Sequence, residues 1–202
     1  EVQAIARHLT IAETYFFREP RAFDELAAVL PAMIERRRGQ GKKLRILSAG
    51  CCTGEEAYSL AMLLTGLIPD IDDWQINIIG GDINHDYLAK AKLGIYSPWA
   101  FRGVMSEPAD RLKGRFFSAL ENGNFEIADR LKKMVQFAYF NLADDFQAYE
   151  QQLGNQSFDL ILCRNVLIYF DKSMVKLSLQ RLSQLLTPGG WLLLAATEVP
   201  SA

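Results

Sequence analysis

The sequence has few cysteines, and their spacing excludes two kinds of site. Only three cysteines occur among the 202 residues, at Cys51, Cys52 and Cys163. An odd number of cysteines, two of them adjacent, makes a poor disulfide framework and does not match the spacing of metal ligands. We therefore expect no metal site and interpret all three cysteines as small buried side chains.

Long apolar runs and an excess of basic charge are also missing. No apolar stretch reaches the roughly 20 residues that span a bilayer, and the N-terminus lacks the layout of a signal peptide. We therefore expect a cytoplasmic protein without membrane insertion. The 22 Lys and Arg are balanced by 24 Asp and Glu, for a formal net charge of -2. Nucleic acid, which needs a clustered basic surface, is not an expected partner. The dense basic run at Arg36, Arg37 and Arg38, followed by Lys42 and Lys43, is interpreted as a solvated helix end.

The overall composition is typical of one globular domain. Hydrophobic residues make up 50% of the chain and charged residues 23%, which is far too apolar for a disordered chain. The chain begins at Glu1 rather than at methionine and ends just after a strand-like run, so we expect it to be a piece of a longer protein. We divide it into residues 1–20, a linker helix followed by an aromatic and arginine segment, and residues 21–202, the main domain.

Apolar residues follow helical and strand-like spacing in alternation along the chain. The predicted helices cover 21–38, 55–67, 85–93 and 172–186. The predicted strands cover 44–48, 74–80, 135–140, 158–163 and 191–196, with a turn at 188–190 before the last one. This alternation predicts an α/β fold with a doubly wound, Rossmann-like parallel sheet. Residues 96–134 break the rhythm and are predicted to form a helix and a small inserted antiparallel β-subdomain.

Four loops should meet outside the carboxyl ends of the strands, where such sheets bind ligands. They are 49–56, 81–84, 141–142 and 164–165. The first loop lacks the glycine patterns of dinucleotide and triphosphate sites, and its acids Glu55 and Glu56 would repel phosphate. With Asp82 after the second strand, where ribose hydroxyls bind, the loops suit a ligand that carries a ribose and is cationic at one end. S-adenosylmethionine meets that description. The alternatives are acids that complement a helix dipole and, for Asp82, a helix cap.

Two further segments carry polar residues in unusual places. Thr14 and Arg18 flank three aromatic residues, which are either a buried anchor that fixes Arg18 or ordinary core aromatics. Arg164 and Asn165 directly follow a predicted buried strand, where unpaired polar side chains are costly, and Tyr169 follows within a turn. We favour a functional role for this second segment.

Five strings of residues closely resemble the chemotaxis receptor methyltransferases of the CheR family. They are Thr14-x-Phe-Phe-Arg18, Ser48-Ala-Gly-Cys-Cys-Thr-Gly-Glu-Glu56, Asp82-Ile, Phe158-Asp-Leu-Ile-Leu-Cys-Arg-Asn-Val-Leu-Ile-Tyr-Phe-Asp171 and Pro188-Gly-Gly190. The resemblance runs in order from about residue 10 to residue 198. It implies an enzyme that uses S-adenosylmethionine, with S-adenosylhomocysteine as product, to esterify glutamate side chains of methyl-accepting chemotaxis receptors.

The resemblance also implies roles for individual residues. Arg18 and Tyr169 are expected at the reacting centre. The expected cofactor-binding residues are Ala12, Thr14, Arg18, Gly50, Glu55, Glu56, Asp82, Asn141, Leu142, Arg164 and Asn165. The receptor's cytoplasmic domain is the expected partner, and the β-subdomain matches one that in some members binds a receptor's C-terminal peptide by strand addition.

This sequence departs from the family in several ways that leave other functions open. Ala12 stands where the family usually has asparagine, Ala57 where it often has proline, and Ala196-Thr197-Glu198 where it has His-Ser-Glu. The family's helical N-terminal domain and its final antiparallel strands are not seen in the sequence. The alternatives are a catalytically silent adaptor that binds the cofactor, and a carboxyl methyltransferase of another acceptor.

Overall fold

The computed structural model describes residues 12–104, 106–149 and 157–199. The predicted linker helix at 2–9 lies outside them. The helices are α1 (Pro20–Arg38), α2 (Glu55–Leu67), α3 (His85–Leu93), α4 (Ser106–Phe116), α5 (Asp129–Lys132) and α6 (Lys172–Gln184). The strands are β1 (Lys43–Ala49), β2 (Gln75–Asp82), β3 (Ile95–Tyr96), β4 (Phe117–Ala119), β5 (Phe125–Ile127), β6 (Val135–Tyr139), β7 (Phe158–Cys163) and β8 (Leu186–Leu194).

Five parallel strands form the main sheet in the order β6-β2-β1-β7-β8. The first strand, β1, is the central strand of the sheet. β2 and β6 lie on one side of it, and β7 and β8 lie on the other. Strand order therefore reverses between β1 and β7, and the loops that follow these two strands lie beside each other. The predicted doubly wound α/β sheet is confirmed.

Both faces of this sheet are covered by helices. Neighbouring residues such as Ile46 and Leu47 in β1 point to opposite faces, and each joins a different buried apolar cluster. One cluster includes Leu30 of α1 and Leu60 of α2, and the other includes Leu182 of α6. Because β7 is buried at every position, its sequence is a continuous apolar run broken only by one aspartate.

That aspartate, Asp159, is paired with the end of α1. Arg37 forms an ion pair with it, while Arg38 and Lys42 contact Asp70 at 2.6 Å and 2.9 Å. The basic residues Arg36, Arg37 and Arg38 lie in the last turn of α1 and are partly exposed, as the interpretation of a solvated helix end expects. The structure adds ion pairs that connect this helix end to acids of β7 and of the loop before β2.

The inserted β-subdomain lies between β2 and β6 and has the antiparallel order β3-β5-β4. Its aromatic residues hold the segment that precedes α1. The ring of Phe16 is fully buried and packs edge-on against Tyr96 at 4.8 Å and Phe117 at 5.1 Å, measured between ring centroids. The segment around Arg18 is thus anchored on the subdomain by an aromatic side chain.

The turn predicted at residues 188–190 lies inside β8 rather than before it. β8 pairs with β7 across a bulge, so that Phe158 faces Leu186 and Leu160 faces Trp191. A bulge accommodates extra residues within a strand without ending it. Gly189, at φ 74°, supplies the left-handed conformation that the bulge requires.

The described ranges contain neither a membrane-spanning helix nor a metal-binding cluster. Within 12–104, 106–149 and 157–199, no helix combines the length and apolar character needed to cross a membrane. The same residues contain no group of three or more His, Cys, Asp and Glu side chains placed to hold a metal ion.

Candidate functional site

A cavity of about 700 Å³ opens at the carboxyl end of the main sheet. The loops after β1, β2, β6 and β7 form its wall together with the segment at 13–18. Because the strands are parallel, all four loops leave the sheet at the same edge. The volume lies within the range of about 300–1,000 Å³ that is usual for small-molecule sites.

Asp82, the last residue of β2, ties two of these loops together. Its carboxylate accepts a hydrogen bond from the backbone N–H of Cys52 at 2.8 Å and another from that of Asn84 at 2.9 Å. Burial raises the pKa of Asp82, and the hydrogen bonds from Asn84 and Cys52 oppose that shift. The side chain is thus held in a fixed orientation on the cavity wall.

Glu56 lies in the first turn of α2 and is held by two side chains. Ser48 donates a hydrogen bond to one carboxylate oxygen at 2.7 Å, and Arg164 donates to the other at 3.0 Å. Burial raises the pKa of Glu56, while the charge of Arg164 acts in the opposite direction. Because an ionised carboxylate has about four lone-pair sites, Glu56 retains acceptor capacity beyond its bonds to Ser48 and Arg164.

Arg164 connects Glu56 to the segment before α1. Its guanidinium also donates to the backbone oxygen of Arg18 at 2.8 Å and pairs with Glu19 at 3.1 Å. Asn165 donates to the same Glu19 at 3.0 Å. The loop after β7 therefore fixes the segment that carries Arg18, although the two lie far apart in sequence.

Arg18 and Tyr169 both reach the cavity wall. The Arg18 guanidinium donates to the backbone oxygen of Glu13 and lies 6.0 Å from the ring of Tyr15. Tyr169 is 60% exposed, so its ring stands at the rim. The two side chains therefore face the same cavity.

The loop after β6 is closed by its own polar groups. Asn141 donates to Asp144 at 2.9 Å and accepts from the backbone N–H of Ala143 at 3.0 Å. This turn places Asn141 and Leu142 on the wall beside Phe140. Phe140 and Leu142 contribute apolar side chains to the wall, which suit a flat ring system.

The cavity wall contains ten of the predicted site residues, namely Thr14, Arg18, Gly50, Glu56, Asp82, Asn141, Leu142, Arg164, Asn165 and Tyr169. Two predicted residues are not on it. Ala12 is exposed. Glu55 is buried and accepts a hydrogen bond from Thr53 at 2.7 Å. It is off the wall because neighbouring residues of a helix, such as Glu55 and Glu56, point in different directions.

Sequence reasoning missed some wall residues and one residue behind the wall. Cys52 is only partly buried and lies on the wall, so its interpretation as a buried side chain is wrong; Cys51 and Cys163 are buried as expected. Missed apolar wall residues are Ile83, Tyr87, Phe140, Val166, Ile168 and Phe170. For Ile83 and Phe140, which directly follow β2 and β6, that position was the available signal. Glu198 lies behind the wall; the sequence matched it to the glutamate of the family's His-Ser-Glu string but gave it no role, because its hydrogen-bond partners are distant in sequence.

Curated relatives match nearly the whole chain. Chemotaxis protein methyltransferase 2 of Vibrio cholerae is 36% identical over 198 residues, covering 98% of this chain and 66% of that protein. The probable chemotaxis protein methyltransferase of Rhizobium etli is 35% identical over 195 residues, covering 95% and 69%. The probable biofilm formation methyltransferase WspC of Pseudomonas aeruginosa is 33% identical over 204 residues, covering 98% and 44%. The chain thus spans between 44% and 69% of the length of these relatives.

Solved structures share the fold at low sequence identity. The glycopeptide N-methyltransferase MtfA, complexed with sinefungin, matches 93% of this chain and 52% of its own with a TM-score of 0.52 and 12% identity. The DszA carbon methyltransferase matches 87% and 35% with a TM-score of 0.51 and 21% identity. These similarities establish a Rossmann-like methyltransferase fold.

The family described as CheR methyltransferase, SAM binding domain, matches residues 12–201. That range includes the main sheet, the inserted β-subdomain and every loop of the cavity wall. Together with relatives at 33–36% identity, the match shows that the chain belongs to the CheR methyltransferase family, whose cofactor is S-adenosylmethionine.

Proposed function

We propose that the protein transfers the methyl group of S-adenosylmethionine to glutamate side chains of methyl-accepting chemotaxis receptors and forms glutamyl methyl esters. The observation that carries the proposal is the cavity at the switch point of a CheR-family sheet, with Arg18, Glu56, Asp82 and Tyr169 on its wall. The names of the Vibrio cholerae and Rhizobium etli relatives support the choice of acceptor.

The residues of the cavity fit the cofactor. Asp82, held by two backbone N–H groups, has the position and the acceptor oxygens for ribose hydroxyls. Glu56 supplies negative charge for an amino group. Ile83, Phe140 and Leu142 supply apolar surface for an adenine ring.

The reaction does not require the protein to remove a proton from the acceptor. When bound, the cofactor supplies an electrophilic methyl group on a sulfonium. A glutamate acceptor with a pKa of about 4.3 is already ionised at neutral pH, so the protein needs no general base. Its contribution is to hold the reacting atoms about 3–3.5 Å apart and in line.

Arg18 and Tyr169 are the proposed groups that orient the acceptor. The Arg18 guanidinium offers a fixed positive charge, and the exposed Tyr169 hydroxyl offers a hydrogen bond at the rim. A carboxylate held by such donors loses part of its water shell before it reacts. These roles, together with those of the cofactor-binding residues named above, remain proposals.

The receptor's cytoplasmic domain is the proposed partner, which makes the cytoplasm the proposed location. The β-subdomain is proposed to bind a receptor's C-terminal peptide by strand addition. Its outer strands β3 and β4 each pair on one side only within the three-stranded sheet, so a peptide strand has a free edge to extend.

The test is methyl transfer to a receptor fragment. The protein is incubated with labelled S-adenosylmethionine and a receptor cytoplasmic domain, and label that is released by mild alkali is counted. We expect base-labile label on wild-type receptor and none on a receptor whose methyl-accepting glutamates are replaced by alanine. Cofactor binding without any transfer to receptors would favour the silent adaptor, and transfer to the alanine receptor would favour another acceptor.

A further inference from the structure

Glu198 is a buried carboxylate behind the loop that follows β7. It ends the short 3₁₀ helix Ala196–Glu198 after β8 and is 7% exposed. Its two oxygens accept hydrogen bonds from five backbone N–H groups, those of Asn165, Val166 and Leu167 at 2.7 Å and those of Ile168 and Ala195 at 3.3 Å.

Backbone dipoles, rather than a cation, satisfy this charge. Among the ion pairs of the described ranges, none includes Glu198. A buried carboxylate is costly unless its oxygens are hydrogen-bonded, and bonds from N–H groups to a charged acceptor are the stronger kind. Four of the five donors belong to one loop, so the carboxylate holds the conformation of that loop.

The held loop forms one side of the cavity. Asn165 is in the left-handed region at φ 58°, a conformation that is uncommon for non-glycine residues and that asparagine adopts more readily than most. The 3₁₀ helix Leu167–Tyr169 begins two residues later, and its first two residues are among the donors to Glu198. Asn165, Val166, Ile168 and Tyr169 all lie on the cavity wall, whereas Glu198 does not.

A close contact independently links this loop to the one after β1. A Cβ atom built on Gly50 would lie 2.3 Å from Cγ2 of Val166, so Val166 occupies the space that the missing side chain leaves. The backbone N–H groups of Gly50 and Cys51 donate to the oxygen of Gly81, at 2.7 Å and 3.0 Å. A shift of Val166 would therefore disturb the loop that reaches Asp82.

We infer that Glu198 is a positioning residue of the cofactor site, which acts by fixing the loop 165–168 through its backbone N–H groups. It touches neither cofactor nor acceptor. The inference rests on cofactor binding by this family and not on the receptor as acceptor.

The test compares Glu198→Gln with a matched acid-to-amide control. Glutamine keeps the length of the side chain but replaces one acceptor oxygen by an NH₂ group, which faces N–H donors. We expect the affinity for S-adenosylhomocysteine, measured by titration calorimetry, to fall about tenfold or more, as for the loss of hydrogen bonds to a charged group. In Asp171→Asn, which alters an exposed carboxylate that accepts from Ser173 and Met174, we expect a change of less than about twofold, as is usual for surface substitutions.

Hydrogen exchange separates positioning from general stability. In Glu198→Gln the backbone N–H groups of 165–168 should exchange faster while those of β7 stay as protected as in the wild type. Unchanged affinity, or faster exchange throughout the sheet, would overturn the inference. If Glu198→Gln does not fold, Glu198→Asp takes its place with the same expectations, and wild-type affinity in that variant overturns the inference.

The proposed function and the inference about Glu198 can be contradicted independently of each other. A wild-type chain that transfers no methyl group to receptors contradicts the proposed acceptor, yet its binding of S-adenosylhomocysteine and the exchange of residues 165–168 are still measurable.

Discussion

The Asp82 carboxylate accepts hydrogen bonds from the loop after β1 and from the residue before α3. The sequence offered a helix cap and a ribose ligand as alternatives for this residue. In the structure Asn84 is the residue that caps α3, by accepting from the N–H groups of Asp86 and Tyr87. Asp82 orders the backbone around the cavity, and its role as a cofactor ligand stays a prediction.

Replacing Asp82 by asparagine should weaken binding of S-adenosylmethionine about 10- to 100-fold, because hydrogen bonds to a charged group contribute about 1.5–3 kcal/mol. Titration calorimetry measures the change. The matched control is Asp129→Asn, at an exposed acid of the β-subdomain, which should bind like the wild type. Equal affinity of the Asp82 variant and wild type would contradict the site.

Replacing Tyr169 by phenylalanine should lower kcat about tenfold and leave the affinity for S-adenosylhomocysteine within about twofold, since one hydrogen bond contributes about 0.5–1.5 kcal/mol. The ring stays in place at the rim and only the hydroxyl is lost. Steady-state kinetics on a receptor fragment and calorimetry give the two quantities. A loss of affinity with unchanged kcat would place Tyr169 on the cofactor rather than the acceptor.

Cofactor affinity should fall with acidification at a higher pH than an ordinary glutamate would predict. Burial raises the pKa of Glu56 above its usual 4.5, so protonation removes its negative charge at a pH above that value. Calorimetry between pH 5 and pH 8 measures the effect. In Glu56→Gln the affinity should be lower and this part of the pH dependence absent; an unchanged pH profile would argue against contact with the cofactor's amino group.

The end of α1 shows how a secondary-structure element is fixed by charges from elsewhere. Hydrogen bonds from Arg38 and Lys42 hold the pKa of Asp70 well below its usual range. A carboxyl group whose pKa is lower in the folded state stabilises the fold above its unfolded pKa of about 3.9 and loses that effect as the pH falls toward the folded value. The ionised Asp70 therefore stabilises the folded state at neutral pH.

Asp70→Asn should lower the midpoint of thermal unfolding at pH 7, and its difference from the wild type should shrink below about pH 4. It should also shrink in 1 M salt, because these side chains are partly exposed and screened. The neighbouring Asp72→Asn is the control, since Asp72 is exposed and has no part in the ion pairs of Asp70. A deficit that persists at low pH would exclude the electrostatic explanation.

For the molecule as a whole, ligand binding and stability are linked through the loops of the cavity. A ligand that binds only the folded chain adds about 2.7 kcal/mol at 100 times its Kd. For a chain of this length that corresponds to a rise in Tm of about 5–11 °C. We expect this rise with S-adenosylhomocysteine and a smaller one in Asp82→Asn at the same concentration; no shift in the wild type would contradict cofactor binding by this chain.

Much of the architecture was predictable from local pattern. Helices α2 and α3 and strand β7 have the predicted bounds, because apolar periodicity and flanking turns act within one element. The bulge in β8 was missed, since a proline and two glycines in sequence look the same whether they end a strand or distort one. Its presence depended on pairing with β7.

The residue types after each strand were enough to indicate a cofactor site, because a parallel sheet brings every carboxyl end to one edge. Which side chains share the cavity, and what holds them, depended on contacts between distant segments. Arg164 reaches Glu19 and Glu56, Val166 fills the space beside Gly50, and Glu198 binds the loop after β7. Such partners come into contact only after the sheet has assembled, so no local sequence pattern predicts these contacts.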